Sequence, residues 1–257
     1  MSVWFPTAHA VADPRLMLLC LPPGGGDVSF FSSWQRALGE DVAVNPAALP
    51  GHGRRVAEPL MNSISDLADG LLEPALRATA APLALFGHSL GALVAFELAH
   101  RLTAAGRPPV LLIVSGSPAP QSHPRTSQSY ELSDEEFLDS VIALGGVSDG
   151  LLDFPDMRSF LLPILRADFA AAETYHCPPR PLLDIPFLVL GGNSDPSVHR
   201  SELDLWCDMT SGPSEVAVFD GGHFYLVDQL SEVLSKIRAV TGSALARHYE
   251  REGTSHV

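Results

Sequence analysis

Leu83-Ala84-Leu85-Phe86-Gly87-His88-Ser89-Leu90-Gly91-Ala92-Leu93-Val94-Ala95-Phe96 is the stretch on which the reading of this 257-residue chain turns. The apolar run ending at Phe86 predicts a short buried parallel strand. Apolar residues at Leu90, Leu93, Val94, Ala95 and Leu98 predict a helix directly after it. Between the two sits Gly-x-Ser-x-Gly, the signature of a strand that turns sharply into a helix and lifts a serine hydroxyl above the sheet edge. Such a turn strains the serine backbone, and glycines two positions to either side let strand and helix approach closely. The helix N-terminus then aims free N–H groups and a positive dipole end at a reacting oxygen. The bare pattern is weak; the strand before it and the helix after it make it specific.

Upstream of this turn, Leu16–Leu21 reads as an apolar strand running into Pro22-Pro23-Gly24-Gly25-Gly26-Asp27, a loop whose N–H groups few side chains obstruct. Phe30, Phe31 and Trp34 begin a predicted helix to about Leu38, followed by a strand at Val42–Val44 and the turn-rich loop Leu49-Pro50-Gly51-His52-Gly53-Arg54-Arg55. A helix from about Ser65 to Thr79 leads back to the central strand. Downstream, the elbow helix should stop near Ala105-Gly106, and Val110–Val114 is all aliphatic, as a strand covered on both faces should be.

At Ser115 the composition shifts. Pro118, Pro120 and Pro124 open a segment that reads as an insert, with a capping-box start at Ser133-Asp134-Glu135-Glu136. A helix follows, then Leu151–Phe154 and a second helix over Asp156–Tyr175, expected to kink at Pro163. Cys177-Pro178-Pro179-Arg180-Pro181 closes the insert. The alternation resumes with a strand at Phe187–Leu190, a helix around Ser201–Met209, a strand at Val216–Phe219 and a last helix to about Val240. A βαβα pattern on both sides of a helical insert predicts an α/β protein with a mostly parallel central sheet. We expect a single domain over 1–257, a helical lid at about 118–180 and a loose tail at about 251–257.

A hydrophobic fraction of 46% with 18% charged residues can build a sizeable core, and a net charge of −14 argues against nucleic acid or an anionic membrane as partner. Cys20, Cys177 and Cys207 are far apart and form no C-x-x-C, so free, mostly buried thiols in a reducing compartment are expected, with neither a disulfide framework nor a metal site. Met1–Ala10 lacks the basic start of a signal peptide, and Leu16–Leu21 is too short to span a membrane. The expected location is cytoplasmic.

An activated serine needs a base and a group that holds the base in the right tautomer. His223 follows the strand Val216–Phe219 across Asp220-Gly221-Gly222 and is the expected base. His88 lies inside the elbow, His100 on its helix, His123 in the proline-rich loop, and His248 and His256 on the tail. Asp195 follows Phe187–Leu190 through Gly191-Gly192-Asn193-Ser194 and is the expected acid. The strand after the elbow helix offers no carboxylate before Glu131, Asp220 is too near His223, and Asp27 and Asp228 read as solvated or capping. The order Ser89, Asp195, His223 is that of the α/β-hydrolase fold. Its oxyanion hole requires two backbone donors, each worth roughly 3–4 kcal/mol. Leu90 N–H and Gly24 N–H are the candidates.

With these residues placed, the chain resembles the type II thioesterases, the free-standing editing enzymes that accompany polyketide synthases and nonribosomal peptide synthetases. The resemblance rests on Cys20-Leu21-Pro22, Phe30-Phe31 with Trp34, Leu49-Pro50-Gly51 with Arg54-Arg55, and Gly87-His88-Ser89-Leu90-Gly91-Ala92. It continues through Leu132-Ser133-Asp134-Glu135-Glu136-Phe137, Leu162-Pro163-Ile164-Leu165-Arg166-Ala167-Asp168, Gly191-Gly192 with Asp195-Pro196, and Gly221-Gly222-His223-Phe224. Two departures stand out. The family's His-Ala-Gly-Gly is Pro23-Gly24-Gly25-Gly26 here, and its Pro-Gly-Arg is Pro50-Gly51-His52. The resemblance implies a substrate acylated on the phosphopantetheine arm of an acyl or peptidyl carrier domain, an acyl-Ser89 intermediate and no cofactor of the enzyme's own. Arg54, Arg55 and Arg166 are the candidates for contact with an acidic carrier. Other readings are an esterase or lipase of free oxygen esters, an acyltransferase using the same acyl-enzyme, and a non-catalytic binding protein.

Overall fold

Leu16–Leu21, buried at every residue, forms β1. The structure is a computed structural model that describes residues 2–6, 11–121, 128–147 and 150–254. After β1 come a 3-10 turn at Val28–Phe31, α1 (Trp34–Leu38), β2 (Val42–Pro46), α2 (Ile64–Ala78), β3 (Leu83–His88), α3 (Leu90–Ala104) and β4 (Leu111–Ser115). Then follow α4 (Asp134–Ala143), α5 (Pro155–Glu173), β5 (Phe187–Gly192), α6 (Arg200–Asp204), β6 (Ser214–Phe219), α7 (Tyr225–Asp228) and α8 (Leu230–Thr254). The six strands form one sheet in the order β2-β1-β3-β4-β5-β6, and every pairing is parallel.

Alternation along the strands divides the core. Met17, Leu19 and Leu21 of β1 face one side, with Leu67 and Leu71 of α2 and Phe96 and Leu98 of α3. Leu16, Leu18 and Cys20 face the other, with Trp34 of α1 and Val233 and Ile237 of α8. Both faces are covered, which is why the central strands are continuously apolar. The chain leaves β1 toward β2 on one side and returns to β3 on the other. The strand order therefore reverses between β1 and β3, and loops leaving their carboxyl ends diverge into a crevice where α/β sheets bind ligands.

Helices α4 and α5 lie between β4 and β5 and share a small core of Phe137, Leu138, Val141 and Leu165, separate from the two beside the sheet. The capping box at α4 is formed as expected, with Ser133 accepting from Glu136 N–H and the Glu136 carboxylate accepting from Ser133 N–H. The expected kink does not end α5, which continues past Pro163. Pro124 and His123 of the insert, and His256 of the tail, lie outside the described residues.

Three boundaries differ from expectation. The helix expected across Phe30–Leu38 is a 3-10 turn capped by Asp27, then the separate α1. The helix expected around Ser201–Met209 is α6 followed by a 3-10 turn at Leu205–Met209. The last helix passes Val240 and reaches Thr254, because Ala244 and Leu245 continue its buried stripe. The stretch expected to be loose from Arg251 is helical to Thr254, and residues 255–257 lie outside the description. Of the cysteines, Cys20 is buried while Cys177 and Cys207 are partly exposed, and all three are free. Among the described residues no helix is long and apolar enough to cross a membrane.

Candidate active site

Ser89 joins β3 to α3 at φ 54°, ψ −117°, and no other non-glycine residue described has positive φ. The flanking glycines are required by contact. A Cβ on Gly87 would lie 2.0 Å from the Gly91 carbonyl oxygen, and one on Gly91 would lie 2.2 Å from that of Leu21. The strained turn is held by Ser89 N–H donating to the Ser115 carbonyl at 2.8 Å.

His223 and Asp195 come together as expected. Their side chains are almost fully buried, and His223 Nδ1 lies 2.8 Å from Asp195 Oδ2. Gly192 allows this meeting, since a Cβ there would lie 2.3 Å from the Gly222 carbonyl oxygen. The other carboxylate oxygen of Asp195 accepts from Ser197 N–H at 2.8 Å and Ser197 Oγ–H at 2.7 Å. Burial would raise the Asp195 carboxyl, but His223 and the Ser197 donors outweigh it and hold it below the ordinary range. With Nδ1 on Asp195, Nε2 is the ring nitrogen left for Ser89. Ser89 and His223 line one cavity of about 660 Å³, and no hydrogen bond joins them among the described residues. Ser197 was not foreseen; its place two residues after Asp195, where a short side chain closes a local turn, was the available signal.

Both oxyanion candidates line the same cavity. Leu90 begins α3, so its N–H has no acceptor within the helix. In the loop after β1, Gly25 N–H donates to Asp168 Oδ2 and Gly26 N–H to the Pro23 carbonyl, while Gly24 N–H has no acceptor among the described residues.

The histidines set aside as bases have other surroundings. His88 is fully buried beneath the site, its Nδ1 2.9 Å from Ser115 Oγ, which in turn meets Tyr225 Oη at 2.6 Å. Burial first and the neighbouring His223 second push the His88 pKa far down. His100 is likewise lowered to about 4 by burial and by Arg180. Asp27 caps the 3-10 turn as expected. Arg55 and Arg166 are held internally: Arg55 by Glu58 and the Ala48 carbonyl, Arg166 by Asp134 and the Tyr130 and Leu132 carbonyls. Arg54 is exposed.

The cavity is walled by Val141 and Leu144 from the α4 segment, Leu165 and Phe169 of α5, and Val198 and Leu205 beside β5. Among the described residues no group of three or more His, Cys, Asp or Glu could hold a metal ion.

A parallel sheet carrying a serine on a strained strand-to-helix turn, with a histidine–aspartate pair in the same cavity, has the architecture of the α/β-hydrolase class. Comparison with known proteins narrows the class. The family model described as Thioesterase domain matches residues 17–241, and the chain belongs to that family. It is 36% identical over 240 residues to Thioesterase PikA5 of Streptomyces venezuelae, covering 92% of this chain and 84% of that protein. Among solved structures, the type II thioesterase BorB from the borrelidin biosynthetic cluster is 36% identical with a TM-score of 0.85, covering 95% of this chain and 98% of that one. YbtT, a type II thioesterase from the yersiniabactin NRPS/PKS biosynthetic pathway, is 34% identical with a TM-score of 0.82, covering 90% and 95%. The chain is a thioester hydrolase, the reading favoured over an oxygen esterase.

Proposed function

We propose that this enzyme removes acyl groups from the phosphopantetheine arm of acyl or peptidyl carrier domains, clearing misprimed or stalled synthases, through an acyl-Ser89 intermediate. The observation that carries the reading is the shared cavity of Ser89 and His223, with Nδ1 of His223 committed to Asp195. Support for the carrier-bound substrate comes from solved relatives named as type II thioesterases of the borrelidin biosynthetic cluster and of the yersiniabactin NRPS/PKS biosynthetic pathway.

In this reading Ser89 Oγ attacks the thioester carbonyl while His223 Nε2 takes its proton, and Asp195 steadies the imidazolium. Leu90 and Gly24 N–H groups stabilise the oxyanion. As the intermediate collapses, the C–S bond breaks and the thiol departs. The His223 imidazolium gives the departing sulfur the proton taken from Ser89, which returns His223 to its neutral form; with a thiol pKa of about 8.5, this transfer need not precede C–S cleavage. His223 then deprotonates a water that attacks the acyl-serine, releases the carboxylic acid and returns the proton to Ser89. The α4–α5 insert acts as the lid, and its apolar wall takes the acyl chain. The enzyme needs no cofactor of its own and works in the cytoplasm.

The test is a kinetic comparison of an acyl-loaded carrier protein, the matching free thioester and the matching oxygen ester. The reading expects the highest kcat/KM on the carrier and the lowest on the oxygen ester. Equal or better hydrolysis of the oxygen ester would replace it with the esterase reading.

A further inference from the structure

Outside the Ser89–His223–Asp195 set, one buried ion-pair site reaches the same cavity. Asp168 of α5 lines it, and its Oδ2 lies 2.8 Å from His52 Nε2 and 2.7 Å from Gly25 N. The three partners come from three segments: the loop after β1, the loop after β2 and the insert helix. The other ring nitrogen, His52 Nδ1, lies 2.9 Å from the Pro50 carbonyl oxygen, which can only accept, so Nδ1 carries a hydrogen. An unprotonated Nε2 would set a lone pair against a carboxylate oxygen. The geometry is satisfied when both nitrogens are protonated and an imidazolium faces a carboxylate. Both side chains are nearly inaccessible, at 3% and 1%.

The packing around this pair is close. Gly25 has φ 72°, and a Cβ there would lie 2.7 Å from Leu165 Cδ2 of α5. A Cβ on Gly24 would lie 3.4 Å from the Asp168 Cβ. The glycine loop is thus pressed against α5 on one side, with one of its N–H groups taken by Asp168 and the next, that of Gly24, left for the cavity.

We propose that His52 and Asp168 are a positioning pair: Asp168, held by His52, anchors the Gly25 N–H and with it the preceding Pro23–Gly24 peptide, whose Gly24 N–H faces the developing oxyanion. This rests on the assignment of Gly24 and Leu90 as oxyanion donors. It follows that half of the oxyanion hole is set only while α5 is seated on the glycine loop. His52 occupies the position after Pro50-Gly51 and reaches Asp168 directly.

The test uses Asp168→Asn, His52→Gln and His52→Arg in the full chain, with thioester kinetics and two ligands. One ligand is an acyl trifluoromethyl ketone, which adds Ser89 Oγ and places an oxyanion in the hole. The other is the thioether analogue that lacks the carbonyl. Asp168→Asn and His52→Gln should lower kcat about 10- to 100-fold with KM changed less than about threefold. Ketone affinity should fall in parallel and thioether affinity should stay unchanged. His52→Arg should restore most of kcat. If Asp168→Asn does not fold, His52→Gln alone decides. Unchanged kcat and ketone affinity in folded variants would overturn the proposal. Parallel loss of thioether binding would also overturn it, since that marks a purely structural role. If Ser89→Ala remained active, the site assignment itself would fail instead.

Discussion

Ser89 at φ 54° occupies a backbone region that costs a non-glycine residue about 1–3 kcal/mol. Keeping it there exposes the hydroxyl to the cavity. Ser89→Ala retains the Cβ and the turn, so kcat should fall about 10⁴-fold or more with the melting temperature nearly unchanged. Asp195→Asn should cost a comparable factor while leaving the fold intact, because it removes the charge that sets the His223 tautomer. His52 gives a prediction of opposite pH sense. Burial lowers its pKa, but Asp168, the Pro50 carbonyl and the nearby Asp27 outweigh burial and raise it above its ordinary 6.5. Its stabilisation is therefore full below pH 6.5 and is lost as pH rises through the raised value. Urea midpoints at about pH 6 and pH 9 should show the wild type losing ground to His52→Arg, whose guanidinium does not titrate; equal losses would contradict the charged pair. At this scale the sequence was legible where one residue and its flanks carry the signal. Ser89 had its glycines, and Asp195 and His223 had their positions after apolar strands. Ser197 and the His52–Asp168 contact were not legible, because they depend on which loops meet in space.

Among elements, the informative joint is the one between the insert and α3. Glu97, buried on α3, accepts hydrogen bonds from Arg101, Arg180 and Tyr175, the last two from the segment that closes the insert. Burial would raise the Glu97 pKa, but Arg180, Tyr175 and Arg101 outweigh it and lower it to about 2. The carboxylate thus stabilises the fold above its ordinary value of 4.5 and loses that contribution as pH falls toward 2. Glu97→Gln should destabilise by about 3 kcal/mol near neutrality. In chemical denaturation, its deficit relative to wild type should shrink between pH 4.5 and pH 2. A deficit constant with pH would rule out the ionised latch. The central strands were readable because burial on both faces leaves an unbroken apolar record, and α2 because its buried residues recur at helical spacing. The end of α8 was not legible because the buried stripe passes through the polar Thr241, followed by exposed Gly242 and Ser243, before Ala244 and Leu245 resume it.

For the whole molecule, a net charge of −14 sets the terms of association. An acidic carrier would be repelled at long range, so docking must use local features. The structure redistributes the three candidate arginines: Arg55 and Arg166 are tied to internal acceptors, leaving Arg54 exposed. Arg54→Glu should raise KM for carrier-bound substrate several-fold with little change on a small free thioester, while Arg166→Glu should chiefly lower stability. Kinetics on both substrates with thermal melts would separate the two, and equal effects of Arg54→Glu on both substrates would exclude it from docking. The most direct measurement is intact mass spectrometry of an acetyl- or propionyl-loaded carrier protein incubated with wild type or with Ser89→Ala. Loss of the acyl group with wild type and a fully loaded carrier with Ser89→Ala is the expected result. A carrier that stays loaded with wild type, or is unloaded equally by both, would contradict the assignment of Ser89 as the nucleophile of a carrier-directed thioesterase.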